Sequence, residues 1–159
     1  MLISLRPFSP EDWPVISKYQ YPGISETEAK ALIAQWLTRC HEGRYFDILA
    51  IDSGCEIVGY VSLFEQENGR VSEGVEVYPP FRRQGFAHGA VTLLLAHANA
   101  LGYQTVTAQV RQDNAASLAL HRKLGFTTAD SFVNKRGHPV YSLSLDISQE
   151  IATSLRSSQ

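Results

Sequence analysis

The sequence predicts an α+β fold in which helices flank a mainly antiparallel sheet. Three observations support this. Two helical segments near the start separate a first strand from a run of three strands. A further helix lies on each side of the next strand, and two strands joined by a turn close the domain. The predicted order is β-α-α-β-β-β-α-β-α-β-β, and it contains no internal repeat or linker.

The size and composition indicate one soluble globular domain. The chain has 159 residues, of which 44% are hydrophobic and 19% charged, as in ordinary globular proteins. We expect the domain to span residues 1–148 and the polar segment 149–159 to fray as a tail. The formal net charge of -2 disfavours a nucleic-acid binder, which needs a basic surface. No stretch reaches the ~18 apolar residues of a membrane span.

The two cysteines, Cys40 and Cys55, do not make a disulfide framework. The N-terminal segment lacks a basic head followed by a long apolar stretch, so we expect a cytoplasmic protein. No close pair of Cys or His residues has the spacing of metal ligands, so we predict no metal site.

The first third of the chain predicts a strand and two helices. "LISLRPF" alternates as a strand, and the helix "SPEDWPVISKY" begins with Ser9 as its cap. Pro14 keeps that helix short or bent. The helix "SETEAKALIAQWLTRCHEG" has a capping box at Ser25 and Glu28 and a glycine, Gly43, that can end it. Its predicted apolar face consists of Leu32, Ile33, Trp36 and Leu37.

Three strands follow, namely "YFDILAID", "EIVGYVSLFEQ" and "VSEGVEVY". The Asn68-Gly69 pair between the last two is the strongest hairpin signal in the sequence. A helix over residues 86–101 ends at Gly102, and "YQTVTAQV" alternates as a strand.

The last part of the chain predicts a short helix and a hairpin. "DNAASLALHRKL" has Asp113 or Asn114 as its cap and Gly125 as its stop. "FTTADSFV" and "VYSLSLDI" form the closing hairpin around the turn "NKRGHP".

The loop "YPPFRRQGFA" has the features of an anion site. Its prolines end the preceding strand, and Gly85 and the small Ala87 let a ligand approach the backbone. The next helix directs its free amides at the loop, and Arg82 and Arg83 add charge. These parts suit a pyrophosphate; the alternative is an ordinary strand-to-helix turn with solvated arginines. The loop lacks both the Gly-Lys-Ser/Thr of a P-loop and the three glycines of a dinucleotide fold.

Two segments of the chain, "VEVYPPFRRQGFAHGAVTLLLAHANALGY" and "AQVRQDNAASLALHRKLGF", resemble the GCN5-related N-acetyltransferase (GNAT) superfamily. One hallmark of that family is Arg/Gln-x-x-Gly-x-Gly/Ala, and the other is a short helix that begins at Asn and ends in Lys-x-Gly-Phe. The matching positions are Arg82, Gly85 and Ala87 for the first and Asn114, Lys123, Gly125 and Phe126 for the second. The two matches cover about residues 75–126.

The resemblance implies an acetyl-CoA-dependent N-acetyltransferase with a GNAT-type sheet that splays at the cofactor strand. The strand backbone would bind the pantetheine arm, and the loop amides would bind the pyrophosphate. Asn114 and Ser117, at the start of the short helix, would contact the far end of the arm. The implied cofactor-binding residues are Val75, Val77, Arg82, Arg83, Gln84, Gly85, Phe86, Ala87, Asn114 and Ser117. Asn114 is also a candidate helix cap.

The implied reaction is direct attack of an amine on the acetyl thioester, with the Val77 amide holding the oxyanion. The amine must lose a proton, and Glu76 is the base that we predict. The alternative for Glu76 is a solvated carboxylate. Glu73 is the competing acid on the same strand, and by alternation it points the opposite way, so only one of the two faces the reaction.

His121 is the predicted proton donor to the leaving thiolate. Many relatives have a tyrosine at this position, seven residues after the capping Asn114, and the alternative for His121 is a packed structural histidine. Tyr78 is a spare phenol for the same role. Gln109 stands where alanine acetyltransferases of this family have a glutamate, which weakens the case for that subfamily.

The acceptor pocket of the family implies a role for the aromatic residues Tyr19, Tyr21, Trp36, Phe132 and Tyr141, with core packing as the alternative. We predict a small-molecule amine as acceptor and a protein N-terminus as the second choice. A non-catalytic acyl-CoA sensor is a further alternative, since Gln109 and His121 depart from the family pattern. The resemblance also implies that the final hairpin can pair between subunits of a homodimer.

Overall fold

A computed structural model describes residues 2–148 of the chain. The strands in these residues are β1 (Ser4–Pro7), β2 (Cys40–His41), β3 (Arg44–Asp52), β4 (Ile57–Glu65), β5 (Arg70–Val77), β6 (Thr105–Arg111), β7 (Thr127–Val133) and β8 (Pro139–Asp146). The α-helices are α1 (Trp13–Val15), α2 (Glu26–Trp36), α3 (Phe86–Ala100) and α4 (Ala115–Lys123). The sheet order is β1-β3-β4-β5-β6-β8-β7, and β2 pairs with β3.

The sheet is mixed and mostly antiparallel. β3 pairs antiparallel with β1, β2 and β4, and β8 pairs antiparallel with β6 and β7. β5 and β6 are parallel, in a register that runs from Arg70↔Thr105 to Ser72↔Thr107. The predicted α+β class with a mainly antiparallel sheet flanked by helices is therefore confirmed. The predicted splay of the sheet at the cofactor strand stays a prediction.

The chain forms two compact units. The first comprises residues 2–64 and Gly74–Leu93. Its apolar cluster joins α2 to β3, β4 and the residues around α1 because each contributes one apolar face. The buried members are Phe8, Ile16, Ala29, Ile33, Trp36, Ile48, Ala50, Ile57 and Tyr78.

The segment after β1 is an irregular helix, as the proline at position 14 predicts. A 3₁₀ turn (Pro10–Asp12) leads into α1, and a π-helical turn (Ile16–Gln20) follows. The Ser9 amide donates to the Asp12 carboxylate at 2.7 Å. The Arg6 guanidinium also binds this carboxylate, at 2.9 Å, and Asp52 at 2.8 Å. These bonds tie the start of the helical segment to β1 and β3.

α2 is shorter than the sequence predicts. Ser25 caps it by accepting from the Glu28 amide at 3.1 Å, but the helix ends at Trp36 and not at Gly43. Cys40 and His41 instead pair with the start of β3. Glu42 and Gly43 form the turn of that hairpin with φ values of 51° and 77°, the signs that a type I′ turn requires. Leu37, predicted on the apolar face, is therefore beyond the helix and 46% exposed.

The second unit comprises Glu65–Glu73 and residues 94–148. Asn68 and Gly69 both have positive φ, 61° and 72°, as the hairpin signal predicts. β6 pairs with β8 along its whole length. The apolar core of the unit includes Val71, Leu94, Val106, Val110, Phe126 and Leu143. The single domain predicted over residues 1–148 stays a prediction, and the predicted tail lies outside the described residues.

Candidate functional site

The end of β5 lies against β4 at a glycine. A β-carbon on Gly59 would lie 2.1 Å from the carbonyl oxygen of Glu76 and 2.9 Å from the Cα of Val77. The Tyr78 amide donates to the Val58 carbonyl at 2.8 Å, just beyond this point. The glycine in the β4 sequence thus permits a close backbone approach at the end of β5.

The turn between β5 and α3 carries two residues with positive φ. A 3₁₀ turn (Pro79–Phe81) follows Tyr78, and then Arg83 and Gly85 have φ values of 64° and 84°. α3 begins immediately afterwards at Phe86. The first N–H groups of an α-helix have no acceptor within the helix, so the start of α3 and its preceding turn present donors suited to an anion.

Arg82 and Glu76 are in contact with each other. The Arg82 Nη2 donates to Glu76 Oε1 at 2.8 Å, and its Nε donates to the Val77 carbonyl at 2.9 Å. Both side chains are about half exposed, at 54% and 48%. The structure thus brings together the arginine predicted to bind phosphate and the carboxylate predicted as the base. Glu76 is thus partly solvated, in line with the alternative of a solvated carboxylate, but it also pairs with Arg82.

Tyr78 is a core residue. It is 1% exposed, its hydroxyl donates to Gln20 Oε1 at 2.6 Å, and its ring stacks on Tyr19 at 4.6 Å. Burial is the main reason that the pKa of Tyr78 is raised. Burial also raises the pKa of Tyr60, followed by the nearby charge of Glu76. The hydroxyl of Tyr78 is therefore engaged within the protein.

The start of α4 is held by Asn114. Its side-chain oxygen accepts from the Ser117 amide at 3.1 Å, so of the two residues the sequence left open, Asn114 is the cap. Asp113 instead pairs with Arg111 at 2.9 Å. Gly125 ends the helical segment with a φ of 99°. These two signals, read from the sequence, position the last turn of α4, which carries His121.

His121 and Glu73 form a buried pair. Their side chains are 2% and 1% exposed, and His121 Nε2 contacts Glu73 Oε1. On the other side of the ring, Nδ1 lies 2.8 Å from the Ser117 carbonyl oxygen and 3.3 Å from the Ser117 hydroxyl. Glu73 Oε2 is buried and has no hydrogen-bond partner among the described residues. Both ring nitrogens of His121 are thus engaged by protein groups, while one carboxylate oxygen is left over.

The pKa of His121 is raised by this environment. Burial alone lowers it, because an apolar surrounding disfavours the charged ring. The hydrogen bond and the negative charge of Glu73 and the Ser117 carbonyl all raise it, and together they outweigh the effect of burial. The net direction favours the imidazolium, opposite to what burial by itself would produce.

The aromatic residues predicted around the acceptor lie in different places. Tyr21, which is 49% exposed, and Trp36 line a cavity of ≈ 230 Å³ in the first unit. Phe132 lines a cavity of ≈ 370 Å³ in the second unit, together with Gln109 and Lys135. Tyr19 packs against Tyr78 instead. Among the cavities of the described residues, one in each unit thus includes aromatic residues in its lining.

Two features of the site were missed by sequence reasoning. Pairing of Glu73 with His121 joins residues 48 positions apart, which no local pattern reveals. Gly59 had a signal, because an isolated glycine in a strand indicates a bulge or a close approach. Within residues 2–148 there is no group of three or more His, Cys, Asp or Glu placed to hold a metal ion. No helix in that range has the length and apolar composition needed to cross a bilayer.

A family model described as "Acetyltransferase (GNAT) domain" matches residues 3–127. Among curated proteins, the chain is 35% identical over 94 residues to the L-methionine sulfoximine/L-methionine sulfone acetyltransferase of Pseudomonas aeruginosa. That match covers 56% of this chain and 54% of the relative. The chain thus spans about half the length of the curated relatives it matches first.

Solved structures resemble the whole fold. The dodecameric spermidine N-acetyltransferase from Vibrio cholerae has a TM-score of 0.79 at 18% identity, with 96% of this chain and 98% of that chain covered. The ribosomal L7/L12 alpha-N-protein acetyltransferase RimL in complex with coenzyme A has a TM-score of 0.78 at 19% identity, with 91% and 93% covered. At these identities the likeness concerns the fold.

Proposed function

Because the chain belongs to the GNAT acetyltransferase family, we propose that it transfers an acetyl group from acetyl-CoA to a primary amine of a small molecule. The observation that carries the proposal is the turn before α3, where Arg83 and Gly85 have positive φ and the helix presents its first amides. A turn of this kind provides several backbone donors for a diphosphate without a metal ion.

The proposed coenzyme site uses backbone groups more than side chains. The Val75 and Val77 main chain would bind the pantetheine arm, since the pairing of β5 with β6 runs from Arg70 to Ser72. The pyrophosphate would be bound by the amides of the turn and the first helical residues. This set consists of Arg82, Arg83, Gln84, Gly85, Phe86 and Ala87. Asn114 and Ser117 remain proposed contacts for the far end of the arm.

Arg82 is a candidate for two roles, binding the end of β5 and binding a phosphate of the coenzyme. It binds the Glu76 carboxylate and the Val77 carbonyl in this structure, and it is the arginine of the family motif. A guanidinium has five N–H donors, so Arg82 can keep the carbonyl of Val77 and still turn one donor to a phosphate. In that position it would stabilise the end of β5 and the coenzyme together.

The reaction needs a group that accepts a proton from the amine and one that protonates the thiolate. β5 carries two carboxylates, Glu76 and Glu73, and the proposed oxyanion donor is the Val77 amide on the same strand. Tyr78 and His121, the predicted proton donors, both have their polar atoms bonded within the protein. Their direct participation stays a proposal that requires one of these bonds to open.

A small-molecule acceptor is supported by the 35% identity to an acetyltransferase of methionine analogues. The second candidate, a protein N-terminus, is supported by the fold of the ribosomal-protein acetyltransferase. A cytoplasmic location and a homodimer through the β7–β8 hairpin remain proposals, as does a non-catalytic acyl-CoA sensor. Turnover distinguishes the enzyme from the sensor.

The test measures coenzyme A binding by calorimetry and thiol release from acetyl-CoA with a panel of amines. We expect binding and turnover with the native chain. Gly85→Asp places a carboxylate at the proposed diphosphate site and should weaken coenzyme A binding about 10- to 100-fold. Gly137→Asp is the matched control, since Gly137 has a similar φ of 82° in a hairpin turn with nothing near its missing β-carbon.

Three results separate the alternatives. Binding with turnover supports the enzyme, and binding without turnover on any amine supports the sensor. No binding, or equal loss in the Gly85→Asp and Gly137→Asp variants, contradicts the coenzyme site.

A further inference from the structure

We propose that the acceptor is an amine whose molecule also carries a carboxylate and an apolar group, such as an amino acid with an apolar side chain. The inference rests on the proposed N-acetyltransferase function and names the substrate class of that enzyme. It starts from the cavity of ≈ 370 Å³ in the second unit. The lining consists of Gln109, Phe132, Val133, Asn134, Lys135 and Arg136.

One part of this lining is apolar. Phe132 and Val133 form the end of β7 and are 38% and 65% exposed. Phenylalanine and valine side chains are usually buried in a folded chain. A ligand that covers them removes apolar surface from water, which favours binding in proportion to the area covered. The cavity therefore suits a ligand with an apolar group.

Another part of the lining is positively charged. Lys135 and Arg136 follow β7 directly, and both are exposed. Among residues 2–148, neither cation forms an ion pair with a carboxylate. Arg111, at the end of β6, differs because Asp113 binds it at 2.9 Å. A guanidinium binds a carboxylate through two parallel hydrogen bonds, so the two unpaired cations favour a ligand that carries a carboxylate.

The turn that carries these cations is held in shape by Asn134. Its side-chain oxygen accepts from the amides of Arg136 and His138 at 3.0 and 2.9 Å. The Asn134 amide donates to the His138 carbonyl at 2.9 Å, and the Asn134 carbonyl accepts from the Gly137 amide at 2.9 Å. These bonds fix the backbone from which both cations project, which lowers the cost of ordering the turn when a ligand binds.

Gln109 adds an uncharged hydrogen-bond donor from β6. It is exposed, whereas its neighbours Ala108 and Val110 are buried, so by alternation its side chain lies on the other face of the strand. The amide group has two N–H donors and no charge. It can therefore donate to a carboxylate oxygen, which a glutamate at this position would repel. The described lining of the cavity thus contains cations and donors and no carboxylate.

The cavity is connected to the start of α4, where Asn114 and Ser117 are the proposed coenzyme contacts. The strand register places Arg111 opposite Val140, and Val140 opposite Phe132. The Asn114 amide in turn donates to the Arg111 carbonyl at 3.0 Å. Two strand spacings, about 10 Å, therefore separate the Phe132 backbone from the end of β6 that leads into α4. An acceptor in the cavity would lie within this distance of the proposed coenzyme contacts.

The first experiment compares matched amines by the release of free coenzyme A from acetyl-CoA. L-leucine and L-phenylalanine carry a carboxylate, their amides carry none, and isopentylamine and phenethylamine lack the group altogether. We expect kcat/KM for each amino acid to exceed that for its two counterparts by about 10-fold or more. Putrescine, with a second positive charge and no carboxylate, should be the poorest acceptor, since the turn repels it.

The second experiment reverses the charges of the turn in Lys135→Glu and Arg136→Glu. Both side chains are exposed, so the variants should fold. We expect KM for L-leucine to rise about 10- to 100-fold while kcat changes less than about threefold, and we expect the preference over leucinamide to be lost. The control is Arg70→Glu, an equal charge change in another hairpin of this unit. Arg70 pairs with Thr105, at the opposite end of β6 from Arg111, so its variant should match the native chain.

A third measurement needs no turnover. N-acetyl-L-leucine, the expected product, is titrated into the ¹⁵N-labelled native protein in the presence of coenzyme A. We expect it to shift the NMR signals of the Arg136 and His138 backbone amides and of the Gln109 side-chain amide. The backbone amide of Arg70 should stay unchanged.

The inference is overturned if isopentylamine, leucinamide or putrescine is acetylated as efficiently as L-leucine. It is also overturned if both charge-reversed variants keep the native preference, or if the product leaves the three signals unchanged. Efficient acetylation of amines without a carboxylate contradicts this inference alone, because the N-acetyltransferase function stands. A native chain that binds no coenzyme A, or that acetylates no amine, contradicts the proposed function itself, and the inference with it.

Discussion

A β-carbon added to Gly59 would lie 2.1 Å from the Glu76 carbonyl oxygen, far inside van der Waals contact. The atom it meets belongs to the backbone of β5, which cannot rotate away. Gly74 offers a contrast, because its β-carbon would meet only the hydroxyl of Ser62, at 2.7 Å. The two glycines, on adjacent strands, thus differ in how easily their surroundings can admit a β-carbon.

We predict that Gly59→Ala lowers the free energy of unfolding by about 1–3 kcal/mol, since the strands must separate to admit the methyl group. Gly74→Ala should cost less, because a serine side chain can change rotamer. Urea denaturation of both variants measures the difference. An equal loss in both would show that β4 and β5 adjust freely at Gly59.

The Glu73–His121 pair predicts a pH-dependent stability. Burial lowers the His121 pKa, and Glu73 and the Ser117 carbonyl together raise it by more, so the folded value lies above the unfolded value of about 6.5. A raised folded pKa stabilises the protein fully below the unfolded pKa, and this stability is lost as the pH rises through the folded value. His121→Gln should therefore destabilise more at about pH 6 than at about pH 9.

Unfolding free energies of the native chain and His121→Gln at the two pH values provide the measurement. His138→Gln, in the β7–β8 turn, controls for the loss of a histidine as such. A difference between native and His121→Gln that grows with pH would contradict the sign of the shift.

At the scale of elements, local signals set the boundaries of α4. Asn114 accepts from the Ser117 amide and Gly125 takes the positive φ that ends the segment. Both were readable from the sequence because caps and stops act over a few residues. The end of α2 was not readable. There, pairing of Cys40 and His41 with β3 outweighs the helical pattern, and a strand of two residues has no period to detect.

We predict that Asn114→Ala costs about 0.5–2 kcal/mol of stability, because the Ser117 amide loses its acceptor. Asp113→Ala should stay within about 0.5 kcal/mol, since Asp113 makes an exposed ion pair with Arg111. Thermal or urea unfolding measures both variants. If Asp113→Ala lost more stability than Asn114→Ala, Asp113 would be the N-cap of α4 and the prediction would be wrong.

For the whole molecule, the coenzyme and the fold are linked thermodynamically. A ligand that binds only the folded chain stabilises it by about 2.7 kcal/mol at 100 times its dissociation constant. Coenzyme A should therefore raise the Tm of the native protein and of Gly137→Asp, and raise it less in Gly85→Asp. Differential scanning fluorimetry across a coenzyme A titration checks this, and an unchanged Tm at saturating ligand contradicts it.

The whole architecture was more predictable than the site. The fold class and most elements follow from periodicity and turn residues such as Asn68 and Gly69. The turn before α3 was also readable, because its glycine and arginines are contiguous. The partners of Glu76 and His121 could not be predicted from the sequence. Arg82 binds Glu76 because of the folded geometry, and a phosphate would have fitted the sequence pattern equally well. Glu73 contacts His121 only once β5 and α4 have folded.

One consequence follows from β7, the last strand in the sheet order. All of its residues are exposed, yet its register with β8 shifts between Thr128 and Asp130. A bulge and a charge in the middle of an edge strand disfavour open-ended strand pairing with further copies of the chain. We therefore expect that a regular, uncharged β7 would increase the tendency of the chain to aggregate during expression.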